Sequence, residues 1–471
     1  MTDGATRTIA DLPGPPGLPL LGNAHQVRID RLPAAVEEWC ESYGPIFRFD
    51  LGTRRIVGVA DVQEINRILR DRPDGFRRWR EMKKIIAEMG GDSVFSAEGD
   101  DWRRQRRLAV TALNSNHLQR YFHVVHTCTK RLHSRLRKAA QERGELDITR
   151  ELSSYTVDVT SALAFGHDLN TLGSGKDDLQ SHIERVLEMT GRRIVSPIPY
   201  WRWVRLPADR ALDRSLAQIR SALHGFIAEA RARMIALPQL HDAPENFLEG
   251  MLAAQQTDGT FTDEELIANT FTLLNAGEDT TSHTLAWTLW FLASRPAMQE
   301  SLAAEAVEIL GEHSFPEKYE TVESLHYCEA VLRESMRLKP VAFSSPVEPL
   351  ADTTIAGVQI PAGTRLWLLT RLAGLRASTV ERTSEFIPER WLDGNLATPD
   401  QKSFLAFGAG PRFCPGRNLA FLEAKSALAM IARNFEVNLE ESGGPVTERF
   451  GFTMMPDGLR VRLRERVLSP T

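Results

Sequence analysis

The stretch from Asp263 to Ala293 constrains the fold more than any other part of the chain. Its apolar residues cover most of the circumference of a helix, which predicts a helix that is buried on nearly all sides. Thr262 and Glu265 form a capping box at its start, and Ser294-Arg295-Pro296 ends it. About 31 residues at 1.5 Å each give a length of roughly 46 Å. The helix should therefore cross the whole molecule.

A polar cluster, Asn275-Ala276-Gly277-Glu278-Asp279-Thr280-Thr281, interrupts this apolar pattern. Gly277 costs roughly 1 kcal/mol relative to alanine in a helix interior. Thr280 can donate its hydroxyl to the carbonyl of Ala276 and loosen the helix there. The cluster predicts a widened turn beside a cavity, where hydroxyl and carboxylate groups relay protons. A satisfied buried polar network explains the same residues equally well.

Composition favours a globular protein with reduced thiols. The 471 residues include 57 Lys+Arg and 62 Asp+Glu, for a net charge of −5, and 25% of them are charged. These values exclude a disordered or collagen-like chain. Four cysteines far apart, with no C-x-x-C pair, exclude a disulfide scaffold and are typical of a reducing compartment. Length alone allows about three domains, but no repeat or linker composition appears, so we expect one domain over residues 1–471.

The N-terminal 22 residues are polar and then rich in proline. They contain neither a signal-peptide pattern nor the roughly 20 apolar residues of a membrane anchor. The sequence therefore predicts a soluble, cytoplasmic protein.

Periodicity predicts a mainly α fold with small β-sheets. Alternating patterns predict a hairpin of strands 46–51 and 56–59 that turns at Gly52-Thr53. Similar patterns occur at 354–368 and at 452–463, the latter turning at Asp457-Gly458. Residues 76–84 are predicted to be a solvated loop, with a carboxylate or carrier-protein contact as the alternative. Besides 263–293, helical spacing marks the ranges 101–140, 150–166, 178–194, 209–236, 297–310, 321–338 and 416–434.

The second concentration of chemistry is Phe407-Gly408-Ala409-Gly410-Pro411-Arg412-Phe413-Cys414-Pro415-Gly416-Arg417. Its glycines allow the backbone to approach a flat partner closely. Cys414 is expected near the N-cap of the next helix, where the helix dipole, Arg412 and Arg417 should lower the pKa of the thiol. A thiolate can be a nucleophile or a metal ligand. A lone cysteine argues against zinc, whereas one thiolate suffices as the axial ligand of a haem iron.

Five motifs, in the family's order, resemble the cytochrome P450 superfamily. They are W-x-x-x-R at 102–106, A-G-x-D-T-T at 276–281, E-x-x-R at 334–337, F-x-P-E-R-W at 386–391 and F-x-x-G-x-R-x-C-x-G at 407–416. Together they are very specific, and the proline-rich start and the C-terminal segment extend the likeness to almost the entire chain. The resemblance implies the P450 fold, with the long helix over a haem b, and a soluble, bacterial-type haem-thiolate monooxygenase.

The resemblance also implies roles for individual residues. Cys414 is the expected axial thiolate of the haem iron, and Asp279 and Thr280 are the expected pair that delivers protons to the distal oxygen. A structural ion-pair cluster is expected from Glu334, Arg337 and Arg390. The expected haem contacts are Trp102, Arg106, Ala276, Phe407, Gly408, Arg412, Cys414 and Gly416, with the propionates held by Trp102, Arg106 and Arg412.

Two departures from the family pattern concern those propionates. The His-Arg-Asp or Asn-Arg-Asp sequence of many relatives is replaced by Gly374-Leu375-Arg376-Ala377, and residues 343–350 lack the arginine that is common there. Propionate anchoring is therefore expected to differ in detail.

The resemblance implies an apolar substrate pocket formed by Ala276, Val341, Ala342, Phe343, Met454 and Met455. Fatty acid, terpenoid, steroid, polyketide and peptide substrates remain open. With no fused reductase, electrons should come from a separate ferredoxin or flavodoxin-type donor with its reductase, steered to a basic patch. That patch is expected from Arg103, Arg104, Arg106, Arg107, Arg412 and Arg417.

No nucleic-acid motif occurs in this acidic chain, and a monomer is expected. The nearest rival function uses the same haem for peroxygenation, oxidative coupling or a rearrangement. A haem-thiolate sensor or ligand-binding protein is an alternative of another class. A cysteine hydrolase is the last.

Overall fold

Helices dominate the computed structural model, which describes residues 7–174, 178–258, 261–376, 382–392, 404–440 and 444–467. This confirms the mainly α fold class. Within those ranges the α-helices are α1 Leu32–Tyr43, α2 Val62–Arg70, α3 Arg80–Gly90, α4 Gly99–Ala112, α5 Ser115–Glu142, α6 Ile148–Phe165, α7 Thr171–Ser174, α8 Asp178–Val195, α9 Pro207–Ala236, α10 Phe247–Asp258, α11 Asp263–Ala293, α12 Pro296–Leu310, α13 Tyr319–Glu323, α14 His326–Leu338, α15 Thr370–Leu375 and α16 Arg417–Asn434.

Two predicted helices are each divided in the structure. The range 101–140 comprises α4 and α5, and the break falls at Asn114, whose side chain accepts a hydrogen bond from the N–H of His117 at 2.9 Å. Such a cap satisfies a backbone donor at the start of α5 and allows the chain to change direction. The range 321–338 falls on α13 and α14. Apolar periodicity continued across both breaks and concealed them.

The strands form small sheets. They are β1 Arg7–Thr8, β2 Ile46–Leu51, β3 Arg54–Val59, β4 Phe76–Arg78, β5 Ser345–Pro349, β6 Thr353–Ile355, β7 Val358–Ile360, β8 Arg365–Leu368, β9 Phe435–Leu439, β10 Thr447–Phe450, β11 Met454–Asp457 and β12 Val461–Glu465. A five-stranded sheet has the order β2-β3-β8-β5-β4, and a three-stranded sheet has the order β1-β7-β6.

The predicted hairpin over 452–463 is wrong. Its first half, β11, pairs antiparallel with β10, and its second half, β12, pairs antiparallel with β9. The turn at Asp457-Gly458 therefore connects two different sheets. Neither β9 nor β10 was predicted. Their backbones provide the hydrogen-bond partners of β11 and β12, which the predicted hairpin would have paired with each other.

The prediction of a solvated loop at 76–84 is also wrong. Phe76–Arg78 forms β4, and α3 begins at Arg80. Between them Trp79 is buried and donates its indole N–H to the carbonyl of Val347 at 2.9 Å. Arg77 pairs with Glu348 at 2.6 Å. These partners lie some 270 positions away in the sequence, so the local pattern contained no sign of them.

The long helix α11 lies between two apolar clusters. Leu266, Phe271 and Leu274 in its first half belong to a cluster shared with α8, α9 and α10. Leu285 and Leu289 in its second half belong to a cluster shared with α5, α14 and α16. The polar segment of α11 falls where one cluster gives way to the other. Helix packing thus sets the place of this segment in the middle of the molecule.

The remaining sequence expectations concern membranes and cysteines. Within the described ranges, no helix combines the length and apolar character needed to span a bilayer. Cys40, Cys128 and Cys328 are buried in α1, α5 and α14, and, like Cys414, they are free thiols that form no disulfide within the described ranges. Three of the four cysteines are therefore packing residues, as expected.

Candidate functional site

The centre of α11 has the local structure that its sequence predicts. Thr262 accepts a hydrogen bond from the Glu265 N–H at 3.2 Å, while the Glu265 carboxylate accepts from the Thr262 N–H at 2.9 Å. The hydroxyl of Thr280 donates to the carbonyl of Ala276 at 2.6 Å. Both the cap and the threonine bond are confirmed. A side-chain hydroxyl on this carbonyl competes with the helical N–H and loosens the turn.

The same turn opens onto space on one side and is tightly packed on the other. Ala276 is exposed and Thr280 is half-buried, although most of α11 around them is buried. On the opposite side, a Cβ added at Gly277 would lie only 2.4 Å from the hydroxyl oxygen of Thr160 on α6. Glycine therefore lets α6 approach α11 closely. The open side is a recess where a ligand can reach Ala276 and Thr280.

Asp279 is the titratable group of this turn. Its side chain is buried, and burial raises the pKa of the carboxyl to about 7, which a hydrogen bond from the Thr453 hydroxyl only partly offsets. Loss of hydration disfavours the charged carboxylate, so the pKa rises. A carboxyl group that titrates near neutral pH can both give and take a proton under physiological conditions.

The cysteine loop is held by its own backbone. The N–H of Cys414 donates to the carbonyl of Phe407 at 2.9 Å, which closes the loop. Gly408 and Gly410 have φ values of 74° and 68°, which favour glycine. A Cβ at Gly410 would also lie 2.4 Å from the carbonyl oxygen of Leu69 at the end of α2. The glycines are thus needed for conformation and for close packing.

The structure confirms one expectation about Cys414, its place near the N-cap of the next helix, and corrects another, its lowered pKa. The N-cap of α16 is Gly416 and the helix begins at Arg417, so Cys414 lies two residues before the cap. The net effect on the thiol is opposite to the prediction of a lowered pKa, because burial raises the pKa of Cys414. Hydrogen bonds from the Gly416 and Arg417 N–H groups and the charge of Arg106 oppose that rise. The helix dipole and the arginines do not outweigh desolvation in the protein alone.

Arginine side chains gather beside this loop. The Arg412 guanidinium lies 4.5 Å from the ring centroid of Trp102 and pairs with Glu98. Arg106 donates to the carbonyl of Phe413, next to the cysteine. The structure therefore brings Arg412 next to Trp102 and Arg106, which lie more than 300 positions earlier in the sequence.

One member of this arginine group was missed from the sequence. Arg72 is 3% exposed, and its Nε and Nη2 are buried with no hydrogen-bond partner among the described residues. Arg412 likewise has two such atoms, Nε and Nη1. The nearest acid to Arg72 is Glu98, at 4.0 Å, which Arg412 already engages. Two buried guanidiniums thus share one carboxylate. The sequence did not mark Arg72 as a site residue, because it lies outside the recognised motifs, between α2 and a turn.

The ion-pair cluster contains every predicted member. The Glu334 carboxylate, fully buried, accepts from Arg337 at 2.8 and 2.9 Å and from Arg390 at 3.0 Å. It also accepts from the Trp391 indole at 2.8 Å and the Ile387 N–H at 2.9 Å, two partners that the sequence analysis had not assigned. Each carboxylate oxygen is saturated with donors. Such saturation is what allows a charge to remain buried.

The six predicted substrate residues differ in exposure and in their contacts. Ala276 and Ala342 are exposed and offer small apolar surface. Phe343 and Met454 are buried in an apolar cluster with Trp367. The carbonyl of Val341 accepts from the Met454 N–H at 2.9 Å, and Met455 contacts the Arg449 side chain through its sulfur at 3.1 Å.

The predicted basic patch is smaller than its sequence suggests. Arg103 is bound to Asp74 at 2.5 Å and to Asp100 at 2.7 Å. Arg104 is bound to Glu265 at 2.5 Å. The Arg412 side chain is only 4% exposed, whereas Arg107 on α4 is exposed. Acidic side chains, two of them distant in sequence, thus neutralise two of the four arginines in the range 103–107.

The unpartnered donors of Arg72 and Arg412 call for an anionic ligand, and the Cys414 thiol lies in the same loop as Arg412. Haem meets both requirements, because it carries two carboxylates that can pair with the spare donors of Arg72 and Arg412, and its iron accepts a cysteine thiolate. The residues present therefore fit this group. The fold and the site define a haem-thiolate protein.

Comparison with known proteins then specifies the family. The family model described as Cytochrome P450 matches residues 12–463. The chain is 27% identical to Protein LUTEIN DEFICIENT 5, chloroplastic, from Arabidopsis thaliana, over 94% of this chain and 76% of that protein. It is 26% identical to Cytochrome P450 94A1 from Vicia sativa over 88% and 82%. It is also 26% identical to Cytokinin hydroxylase from Arabidopsis thaliana over 89% and 80%.

The chain belongs to the cytochrome P450 family. It is accordingly an oxidoreductase, a haem-thiolate monooxygenase whose cofactor is haem b and which uses O2, a small-molecule substrate and a redox partner. The predicted family, fold class, cofactor and enzyme class are confirmed.

Proposed function

We propose that this monooxygenase inserts one oxygen atom into an apolar small molecule held against the Ala276 side of α11. The observation that carries this proposal is the recess at the Ala276–Thr280 turn, open in the middle of an otherwise buried helix. Ala276 and Thr280 each present a methyl group there. Burial of apolar surface against them stabilises a bound ligand by about 25 cal/mol for each Å² removed from water. Fatty acids, terpenoids, steroids and polyketide-like molecules meet this description.

Cys414 is the residue that would hold the iron, and the bound haem supplies the centre at which O2 is activated. The Gly416 and Arg417 N–H groups point at the sulfur and favour its thiolate form. Arg412, Trp102 and Arg106 would hold the propionates, and we add Arg72 because its spare donors are buried beside Arg412.

Asp279 and Thr280 are the proposed proton-delivery pair. The Thr280 hydroxyl is pre-positioned by its bond to the Ala276 carbonyl, and the buried Asp279 carboxyl titrates near neutral pH. Such a pair delivers protons to a ligand in the recess while the apolar clusters on both sides exclude bulk water. This arrangement favours the oxygen-activating reaction, because the reduction of O2 consumes protons, whereas peroxygenation and rearrangement do not reduce O2 and need no such proton supply.

A ferredoxin- or flavodoxin-type donor is the proposed electron source. Arg107 is exposed on α4, and Phe413, next to Cys414, is 36% exposed. A positive and partly apolar surface close to the thiolate suits a small acidic donor, and long-range attraction would make the rate of reduction fall with ionic strength. The cytoplasmic location, the monomeric state and the single domain stay predictions.

The test is a spectral titration of the purified holoprotein with a compound library. An apolar ligand that displaces water from the iron changes its spin state. The compound with the largest change is then supplied with 18O2, a plant-type ferredoxin and its NADPH-dependent reductase. One 18O atom per product molecule is the expected result. Product that carries oxygen from water or peroxide, or that carries no new oxygen, would contradict the proposal.

Cys414→Ser is the matched variant for the thiolate. Serine keeps the size and the loop geometry, but its hydroxyl is a far weaker acid than a thiol and forms an anion far less readily. The strongly red-shifted absorbance band of the reduced carbon monoxide complex should therefore be lost. Cys328→Ser, at a buried cysteine of α14, should leave that band unchanged.

A further inference from the structure

A partly buried acid lies among the arginines beside the cysteine loop. The Glu98 side chain is 18% exposed, and one of its carboxylate oxygens, Oε2, pairs with Arg412. The other oxygen, Oε1, accepts the backbone N–H of Arg78 at 3.0 Å and lies 4.0 Å from Nη2 of Arg72. Both oxygens are therefore directed toward residues outside the loop that carries Glu98.

Glu98 is the N-cap residue of α4, but its carboxylate does not cap that helix. Among the described residues, no N–H of the first turn of α4 donates to it. A carboxylate is favoured in that place by the helix dipole. The side chain thus turns away from a stabilising local interaction and contacts the arginines instead.

The loop that carries Glu98 is fixed on two sides. The N–H of Val94 donates to Oδ1 of Asn269 on α11 at 2.9 Å. Nη2 of Arg412 donates to the carbonyl of Ala97 at 2.6 Å, directly before Glu98. The position of the carboxylate beside Arg412 is therefore set by the backbone as well as by the side chain.

The charges of this cluster do not balance. Among the described residues, neither Arg72 nor Arg412 forms an ion pair with an acid other than Glu98. Nε and Nη2 of Arg72 and Nε and Nη1 of Arg412 are buried there without a hydrogen-bond partner. Burial lowers the pKa of both guanidiniums, to about 10 for Arg412, and the charge of Glu98 opposes that shift. One carboxylate thus helps to keep two buried guanidiniums charged and leaves four donor atoms for further anions.

We propose that Glu98 is a resident counter-charge of the haem site, a positioning residue that holds Arg72 and Arg412 for the haem carboxylates and lowers the reduction potential of the bound haem. The inference rests on the proposed role of these arginines as propionate partners. Oxidised haem iron carries one more positive charge than reduced iron, so a carboxylate held nearby stabilises the oxidised form. The reduction concerned is the transfer of one electron from the redox partner to the iron, and Glu98 itself gains and loses nothing.

The test measures the midpoint potential of the holoprotein by spectroelectrochemistry, with no substrate added. Glu98→Gln keeps the size of the side chain and removes its charge, whereas Glu98→Asp keeps the charge. Asp100→Asn is the matched control, because it removes the same charge two residues further along. The Asp100 side chain is 99% exposed and pairs with Arg103 at 2.7 Å.

Glu98→Gln should favour reduction by up to about tenfold, which is a rise of about 59 mV for one electron. Two effects act in the same direction, since a negative charge is lost and the Arg412 guanidinium loses its counter-ion. Glu98→Asp should stay closer to the wild type than to Glu98→Gln. Asp100→Asn should match the wild type, because water and salt screen an exposed charge. An unchanged potential in Glu98→Gln would overturn the proposal, as would an equal rise in Asp100→Asn.

Removal of a guanidinium gives a second, opposite measurement. Arg72→Gln should lower the potential, and the double variant with Glu98→Gln should return toward the wild type, because the net charge of the cluster is then restored. A double variant with the potential of Glu98→Gln alone would contradict the proposal. An Arg72→Gln protein with the wild-type potential would contradict it even if Glu98→Gln failed to retain haem.

These potentials separate the inference from the proposed function, since they require neither substrate nor O2. The expected shifts in a holoprotein that forms no oxygenated product would refute the proposed function and support the role of Glu98. Unchanged potentials in an enzyme that oxygenates its substrate would refute only the role of Glu98.

Discussion

Replacing Glu334 by glutamine is the most informative single change for the stability of this fold. Glutamine has the same shape, so it leaves the packing intact and removes one negative charge. The charge that is lost balances Arg337, at 5% residue exposure, and Arg390. The substitution also replaces one acceptor oxygen by an amide NH2 group, in a side chain whose carboxylate accepts five hydrogen bonds.

The expected loss follows from that geometry. Breaking a buried ion pair by removing one partner costs about 3–5 kcal/mol, because the other charge remains buried. At 1.4 kcal/mol for each factor of ten, this is a shift of roughly 10² to 10³·⁵ in the unfolding equilibrium. Trp391→Phe removes one hydrogen bond to the same carboxylate and should cost about 1.5–3 kcal/mol.

The assay is urea unfolding of the holoprotein, followed by circular dichroism and by haem absorbance. Arg382→Gln is the control, since Arg382 and Glu385 form a nearby ion pair whose side chains are 63% and 49% exposed. An exposed pair contributes about 0–1 kcal/mol. The expected order of stability is wild type, Arg382→Gln, Trp391→Phe and then Glu334→Gln. A Glu334→Gln protein as stable as Arg382→Gln would refute the reasoning.

Three further predictions concern the helix and the haem site. Gly277→Ala should lower stability by about 1–3 kcal/mol in thermal unfolding, because its Cβ would overlap Thr160, and Thr160→Ala in the same chain should restore most of the loss. Arg72→Met should release haem to apomyoglobin about ten- to a hundredfold faster, the equivalent of one charged hydrogen bond, whereas the exposed Arg107→Met should not. Because the folded-state pKa of Asp279, about 7, lies above its unfolded value near 3.8, its contribution to stability is full below pH 4 and is lost as the pH rises through 7. Asp279→Asn should lack that slope, and an equal slope in both proteins would contradict the burial argument.

Local sequence was sufficient for the central helix and the cysteine loop. The capping box at Thr262 and the Thr280–Ala276 bond depend on residues three or four positions apart, so they can be predicted from the chain itself. The E-x-x-R spacing likewise placed Glu334 and Arg337 on one helix face. Motif order then led to the family and, through it, to the cofactor.

Tertiary structure alone decided which groups are buried together. The unpartnered donors of Arg72 beside Arg412, the contact of His283 with the Thr453 hydroxyl and the pairing of β12 with β9 depend on residues that are distant in sequence. The raised pKa of Cys414 has the same origin, because desolvation depends on what packs around the sulfur. The sequence by itself determined the long helix, its polar interruption and the thiol, since these follow from local spacing and residue type. The protonation and pairing of those groups were decided by burial, which no local pattern records.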